Sequence, residues 1–430
     1  MNKDDEVDGH GLPATHIQSA AAFSYRPGWR ETPSDECLCA QNLGFALHGT
    51  NRLDVIQYCR SGGHSRKTRA PECLWRTMLA AIYADQFGSI ETLLEQQGNQ
   101  AANADLMLAR ARAELLMGSS GRAINALAPF VNNARWSGRG PIALSWITEA
   151  LVQIGDLRTA RQLLRDRGTV GTGTIDHAHV LMAEAALAHA EGDLAQCVTD
   201  YLKVGRILLG LGITNPAVFP WRSRAALTAV DAGRLDLATA LAEDELASSR
   251  KWGSASSVGA SLHAVAMARR DDHSSGLLED ATQLLRTVGV QFAWMAAQCD
   301  LGRLQAIEGS YAKAGTTLGA VAEAATTAGW TGLSERACTA MEAVDNLRAM
   351  TALTKQEQRI ACQALNGSSN RDIARNLNLT VRTVEFHLSN VYRKLGIKGR
   401  RQLNSDSLHL GPGALPAGSS TEWLLLGEVG

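Results

Sequence analysis

The sequence predicts an all-α protein, a solenoid of helix pairs followed by a small C-terminal helical bundle. Three observations carry that expectation. Alanine and leucine dominate an apolar content of 45 %, aromatics make up 5 %, and alternating Val/Ile/Thr runs are almost absent, which favours close-packed helices over sheet. Glycine-centred turns recur, and from Gly121 onward they lie 34 to 41 residues apart, the period of stacked helix pairs. Between the turns the apolar residues return at helical intervals: Leu277, Ala281, Leu284 and Val288 form one stripe, widened by Leu278 and Leu285. A chain of 430 residues also exceeds one ordinary core, so two or more units are expected.

Taken in order, residues 1–36 mix Gly, Pro and acids without a period and read as a flexible tail. Cys37 to Arg60 has weakly helical spacing, and the basic run SGGHSRKTRAP after it reads as a solvated loop. From Trp75 the pairs begin, with turns at Gly88-Ser89, Gly118 to Gly121, Gly155-Asp156, Gly192-Asp193, Gly233-Arg234, Asp271 to Gly276 and Gly309-Ser310. Asp156, Asp193 and Asp236 fall where an acid meets the positive end of a second helix. Ala160, Ala195, Ala238 and Ala314 are the small residues expected to let paired helices approach. Each pair leaves an apolar face for the next to cover, so a right-handed superhelix with a concave binding side is expected. Trp252, Trp294 and Trp330 read as packing residues, and Leu333 to Met350 as the closing helix. The helical-repeat arm therefore spans 37–350, the basic module 351–408 and a disordered tail 409–430.

Several function classes find no support. The eight cysteines contain no CxxC pair, the closest spacing being Cys37-x-Cys39, and His177-x-His179 has no thiol or carboxylate at zinc-ligand spacing. No metal, cofactor or catalytic residue is expected, the thiols are expected to be reduced, and the chain is not expected to be an enzyme. No apolar run reaches membrane-spanning length and the N-terminus has no signal-peptide core, so a cytoplasmic protein without membrane contact is expected. The charge is informative only when divided. The whole chain carries −1, but Leu353 to Leu403 holds ten Lys/Arg against Glu357, Asp372 and Glu385, or +7. A basic end on a mildly acidic body is the footprint of a nucleic-acid module.

Within that module Thr354 and Glu357 form a capping box, so a first helix starts at Thr354 and stops at Asn366-Gly367. Ser369 and Asp372 form a second box for a helix over 370–377, and Asn378 and Thr380 suit its exit and the next N-cap. The turn is only a few residues, as a helix-turn-helix requires. The third helix, about 380–395, buries Val384, Leu388, Val391 and Leu395. Stepping 100° per residue puts Arg382, Phe386, Ser389 and Arg393 on the opposite side, flanked by Thr383, Glu385 and Asn390. Lys394, Lys398, Arg400 and Arg401 follow as expected phosphate contacts.

LTxxE, GSSNRDIA and TVRTVEFHLSNVYRKLGI together resemble the LuxR-type C-terminal DNA-binding domain over about fifty continuous residues. The helix pairs over roughly 75–350, ending in ERA, resemble the tetratricopeptide-like arm of the large LuxR-type regulators that carry an N-terminal ATPase. The resemblance implies double-stranded DNA as partner, a homodimer on DNA, RNA polymerase contact, and an arm that senses an unknown effector or protein. The chain departs from that pattern in having no GxxxxGK[ST] and no receiver-like βα stretch, so no ATPase and no phosphorylation control are expected. Glu385 stands where many family members have lysine; it either accepts from cytosine N4 or has a structural role, capping the helix or pairing with Arg382. The expected function is a sequence-specific transcription regulator. The competing reading is a helical-repeat scaffold that titrates a full-length regulator through protein contacts.

Overall fold

In the computed structural model the described residues are 37–61, 71–97, 104–132, 139–167, 170–351, 353–395 and 397–403. The expected tails at 1–36 and 409–430 and most of the basic loop lie outside them. Among the described residues there are twenty α-helices, one 3-10 turn and no strand. In order the helices are α1 (Leu38–His48), α2 (Arg52–Arg60), α3 (Pro71–Tyr83), α4 (Phe87–Gln97), α5 (Ala104–Leu116), α6 (Ser120–Asn132) and α7 (Gly140–Gln153). They continue with α8 (Leu157–Arg165), α9 (Ile175–Ala190), α10 (Leu194–Gly210), α11 (Trp221–Asp231), α12 (Leu235–Trp252), α13 (Ala255–Arg269) and α14 (Ser274–Val288). The last are α15 (Gln291–Ile307), α16 (Tyr311–Ala328), α17 (Thr331–Thr351), α18 (Lys355–Leu365), α19 (Asn370–Leu377) and α20 (Val381–Lys394). The chain divides into two compact units, Met1–Trp294 and Met295–Gly430.

In the first unit each helix packs on its chain neighbour, and α3 on α5, α5 on α7, α7 on α9 and α11 on α13. Contact with the next helix and the next but one is the signature of stacked pairs. The turns show why. Gly155 and Gly192 sit at φ 79° and 84°, a left-handed conformation that L side chains resist, and the following Asp156 and Asp193 cap the next helix through Thr159 N and Gln196 N, each at 3.0 Å. Asp236 instead lies inside the first turn of α12, whose cap position is Arg234.

Three details differ from the sequence reading. The first turn is Ala84 to Gln86, with Asp85 at φ 60°, so Gly88-Ser89 falls inside α4. Ala195 is exposed, whereas Ala160, Ala238 and Ala314 are fully buried. The residue four places after the cap in that repeat is Cys197, and it is the buried one. In α14 the buried stripe is Leu278, Ala281 and Leu285, with Leu277, Leu284 and Val288 half-buried. Gly259 sets that offset: a Cβ there would lie 2.7 Å from Leu285 Cγ, so α13 and α14 meet at backbone distance.

The array also returns on itself. The last carbonyls of α1 have no partners inside their helix, and the loop before α11 supplies them. Thr214 N and Asn215 N donate to Leu47 O at 3.1 Å each, Asn215 Nδ2 to Ala46 O at 2.6 Å and Thr214 Oγ1 to His48 O at 3.0 Å. Likewise Trp252 Nε1 donates to Tyr83 O at 2.8 Å, and Asp85 caps α13 by accepting from Ser256 N at 3.0 Å and Ser256 Oγ at 2.5 Å. These links join residues about 170 positions apart, beyond what a strictly linear stack provides.

In the second unit α16 packs on α17, and Gly302 admits Leu318, whose Cγ would lie 2.7 Å from an added Cβ. The helices α18, α19 and α20 bundle around a core drawn wholly from 353–403: Leu353, Ile360, Ala361, Ala364, Ile373, Ala374, Val384, Leu388, Val391 and Leu403.

Candidate nucleic-acid interface

Local chemistry fixes the three helices of the bundle. Thr354 Oγ1 accepts from Glu357 N at 3.3 Å while Glu357 Oε2 accepts from Thr354 N at 2.7 Å, a complete capping box at the start of α18. Gly367 at φ 84° ends that helix. At α19 the cap Ser369 accepts from Asp372 N at 3.3 Å, but the shorter Asp372 takes the Ser369 hydroxyl at 2.5 Å in place of a backbone N–H. Asn378 at φ 52° closes α19, and Thr380 caps α20 through Thr383 N at 3.1 Å. The break between α19 and α20 is thus three residues, which holds α20 across α19 and α18.

The two sides of α20 differ completely. Val384, Leu388 and Val391 are buried and Leu395 packs half-buried beside them. Arg382, Glu385, Phe386, Ser389 and Arg393 are exposed, with Thr383 and Asn390 partly so. Phe386 is 65 % exposed, the largest apolar group left in solvent along this helix, edge-on to His387 at 5.8 Å between ring centroids. A helix that leaves cations, a hydroxyl and an aromatic ring uncovered on one face offers hydrogen bonds to base edges and an apolar contact for a thymine methyl. Glu385 and Arg382 form no ion pair with each other.

Two of the expected phosphate contacts are engaged inside the bundle. Lys394 Nζ lies 2.6 Å from Glu357 Oε2, whose side chain is 5 % exposed. Burial raises the Glu357 carboxyl, but the ammonium and the Thr354 amide outweigh it and hold the group below its ordinary range. Arg400 Nη1 donates to Asn370 Oδ1 at 3.1 Å, and its Nη2 to Ala364 O at 2.9 Å and Ser368 O at 2.5 Å, so it caps the exit of α18. Lys398 is exposed. The sequence reading passed over Arg371, which is exposed at the start of α19, and Arg375, exposed on the same helix and 3.6 Å from Asp372. Their position in the helix before the turn was the available signal.

The first unit holds a buried charged cluster of its own. Glu149 accepts from Arg112 at 2.7 Å and Arg224 at 2.6 Å; burial opposes its ionisation, yet the two guanidiniums hold it down to about 2. His179 packs against Trp146 and Phe219, and burial with Arg112 nearby pushes its pKa down to about 3, so the ring is neutral.

A three-helix bundle with this turn and this basic face defines a class, the bacterial helix-turn-helix regulators. Residues 351–405 match the family model described as "Bacterial regulatory proteins, luxR family". The chain is also 36 % identical over 59 residues to "Spore germination protein GerE" of Bacillus subtilis (strain 168), covering 80 % of that protein and 14 % of this chain. The chain belongs to the LuxR family. It carries the DNA-binding domain of a transcription regulator. Among the described residues no helix is long and apolar enough to cross a membrane.

Proposed function

We propose that the protein regulates transcription by laying α20 in the major groove of a DNA duplex. Arg382, Glu385, Phe386, Ser389 and Arg393 read bases, Thr383 and Asn390 sit at the groove edge, and Lys398 with Arg371 meets phosphates. The observation that carries this reading is the exposed face of α20, polar and cationic around Phe386, on a helix whose other face is fully buried. Lys394 and Arg400 serve mainly to hold the bundle, because their cations already have partners there. The helical-repeat arm governs the domain in response to an effector or protein partner, and the domain binds as a homodimer within reach of RNA polymerase. Reading by a dimer places two half-sites one helical turn or a multiple apart.

Selecting bound duplexes from a random pool tests this. Arg382→Ala and Ser389→Ala change the preferred base at particular positions, at roughly 1–3 kcal/mol per lost contact. Lys398→Ala weakens all sequences alike and flattens the salt slope by about one. If neither class of variant alters binding to any duplex, α20 does not enter the groove. A fragment that binds while the full chain binds only with a partner would favour the titrating-scaffold reading.

A further inference from the structure

Half of the eight cysteines, at positions 37, 39, 59 and 73, fall at the start of the arm. Three of them meet. Cys37 is the cap residue of α1, in extended conformation and without a side-chain bond to the helix backbone, and Cys39 lies in the first turn. Cys73 lies in the first turn of α3, which packs on α1. Cys37 Sγ is 2.9 Å from Cys39 Sγ and 3.8 Å from Cys73 Sγ, and all three sulfurs lie within 4.8 Å of one another. None is in a disulfide. Cys39 is buried at 1 % exposure while Cys37 and Cys73 are half-exposed, so the cluster has a dry side and a side open to solvent.

We infer that Cys37, Cys39 and Cys73 form a three-thiolate site for a thiophilic metal ion, Zn(II) in particular, with the solvent side left for a fourth ligand. Thiolate–zinc bonds of about 2.3 Å in a tetrahedron place their sulfurs about 3.8 Å apart, the spacing of Cys37 and Cys73. The Cys37–Cys39 pair, at 2.9 Å, is tighter than that and has to open as the ion enters. Three sulfurs and no carboxylate select a soft ion and reject Mg(II) and Ca(II), which take oxygen. On binding, each thiol releases its proton to solvent and each sulfur forms one bond to the ion; no electron is transferred. The ion ties the starts of two helices 36 positions apart. It thereby pins the same α1 and α3 whose far ends are capped from Asn215 and Trp252, and acts as a metal-dependent clamp on that end of the arm.

The test titrates the untagged, phosphine-reduced full chain with Zn(II) against a chromophoric chelator, and with Co(II) for the thiolate-to-metal absorption band. One equivalent binds, the band appears, and the melting temperature rises with the ion. Cys37→Ser and Cys73→Ser lower the affinity by more than the roughly 10–100-fold that loss of an outer-shell partner costs, and remove the rise in melting temperature. Cys338→Ser, exposed in the second unit, changes nothing. Metal-free melting curves of the serine variants that overlay the parent show that the site, not the fold, was removed. Three results overturn the inference: no stoichiometric ion, binding that survives both serine variants, or a Cys37–Cys73 disulfide forming under mild oxidant in a chain that never takes the ion.

Discussion

Lys394 counts as a DNA cation by charge alone and as a fold residue by geometry, and a double-mutant cycle with Glu357 separates the two. The pair is 2.6 Å apart, with side chains 24 % and 5 % exposed. At an effective dielectric of about 20 the gross attraction is roughly 6 kcal/mol, and most of it is offset by removing the carboxylate from water. A net coupling of about 1–2 kcal/mol remains, above the roughly 0–1 of a surface pair. Glu357→Gln keeps an acceptor for Thr354 N, so it tests the charge and spares the cap. Lys394→Met keeps the stem. In urea melts of the 345–408 segment, whose core comes wholly from its own residues, each single variant loses about 2 kcal/mol; at about 1 kcal/mol per molar that is a midpoint drop of about 2 M. The double variant falls only slightly further. Because the Glu357 carboxyl is held below its ordinary range, this stabilisation is present above the unfolded glutamate pKa and fades as pH falls through the folded one. A coupling under about 0.3 kcal/mol, or a Lys394→Met protein of unchanged stability whose salt slope drops as far as that of Lys398→Ala, refutes the assignment.

Arg400→Ala removes three hydrogen bonds, two at the exit of α18 and one to Asn370 at the start of α19, and costs about 2–3 kcal/mol in the same melts, while Arg400→Lys, lacking the fork, restores only part. Glu245 is buried at 1 % exposure, and burial raises its carboxyl to about 7 although Ser223 Oγ and Arg222 N donate to it. Its folded pKa lies above the unfolded one, so its contribution to stability is fully present below about 4.5 and falls by up to about 3 kcal/mol as pH rises through about 7. Thermal melts of Glu245→Gln show that slope removed; an unchanged slope places its source elsewhere.

The basic bundle was legible in the sequence because its signals are local. Thr354 with Glu357, Ser369, Gly367, Asn378 and Thr380 each act within a turn of where they stand, and the structure places them as helix ends. What charge and spacing cannot express is partnership across the fold. Charge alone says nothing of the bond from Lys394 to Glu357 or from Arg400 to the Ala364 carbonyl, which only the folded bundle brings within reach. In the arm, glycine marked Gly88-Ser89 as a turn, but Asp85 bends the chain three residues earlier, where its carboxylate accepts from Ser256. Ala195 was the nearest small residue to its turn, yet burial depends on the angle around the helix and falls on Cys197. The meeting of Cys37 and Cys39 with Cys73 needs α1 laid on α3, and no spacing within one helix announces it.

The caps lent by Asn215, Trp252 and Asp85 change what kind of repeat protein the arm is. A stack held only by adjacent repeats folds from any nucleus, melts from its ends and tolerates loss of a terminal unit. Closing a loop of about 170 residues carries an entropic cost that only the finished structure repays, so the two rims of that loop lock late and together. Deleting 37–97 would therefore not shorten the arm by a repeat or two. It would bare the start of α13 and the loop before α11 at once.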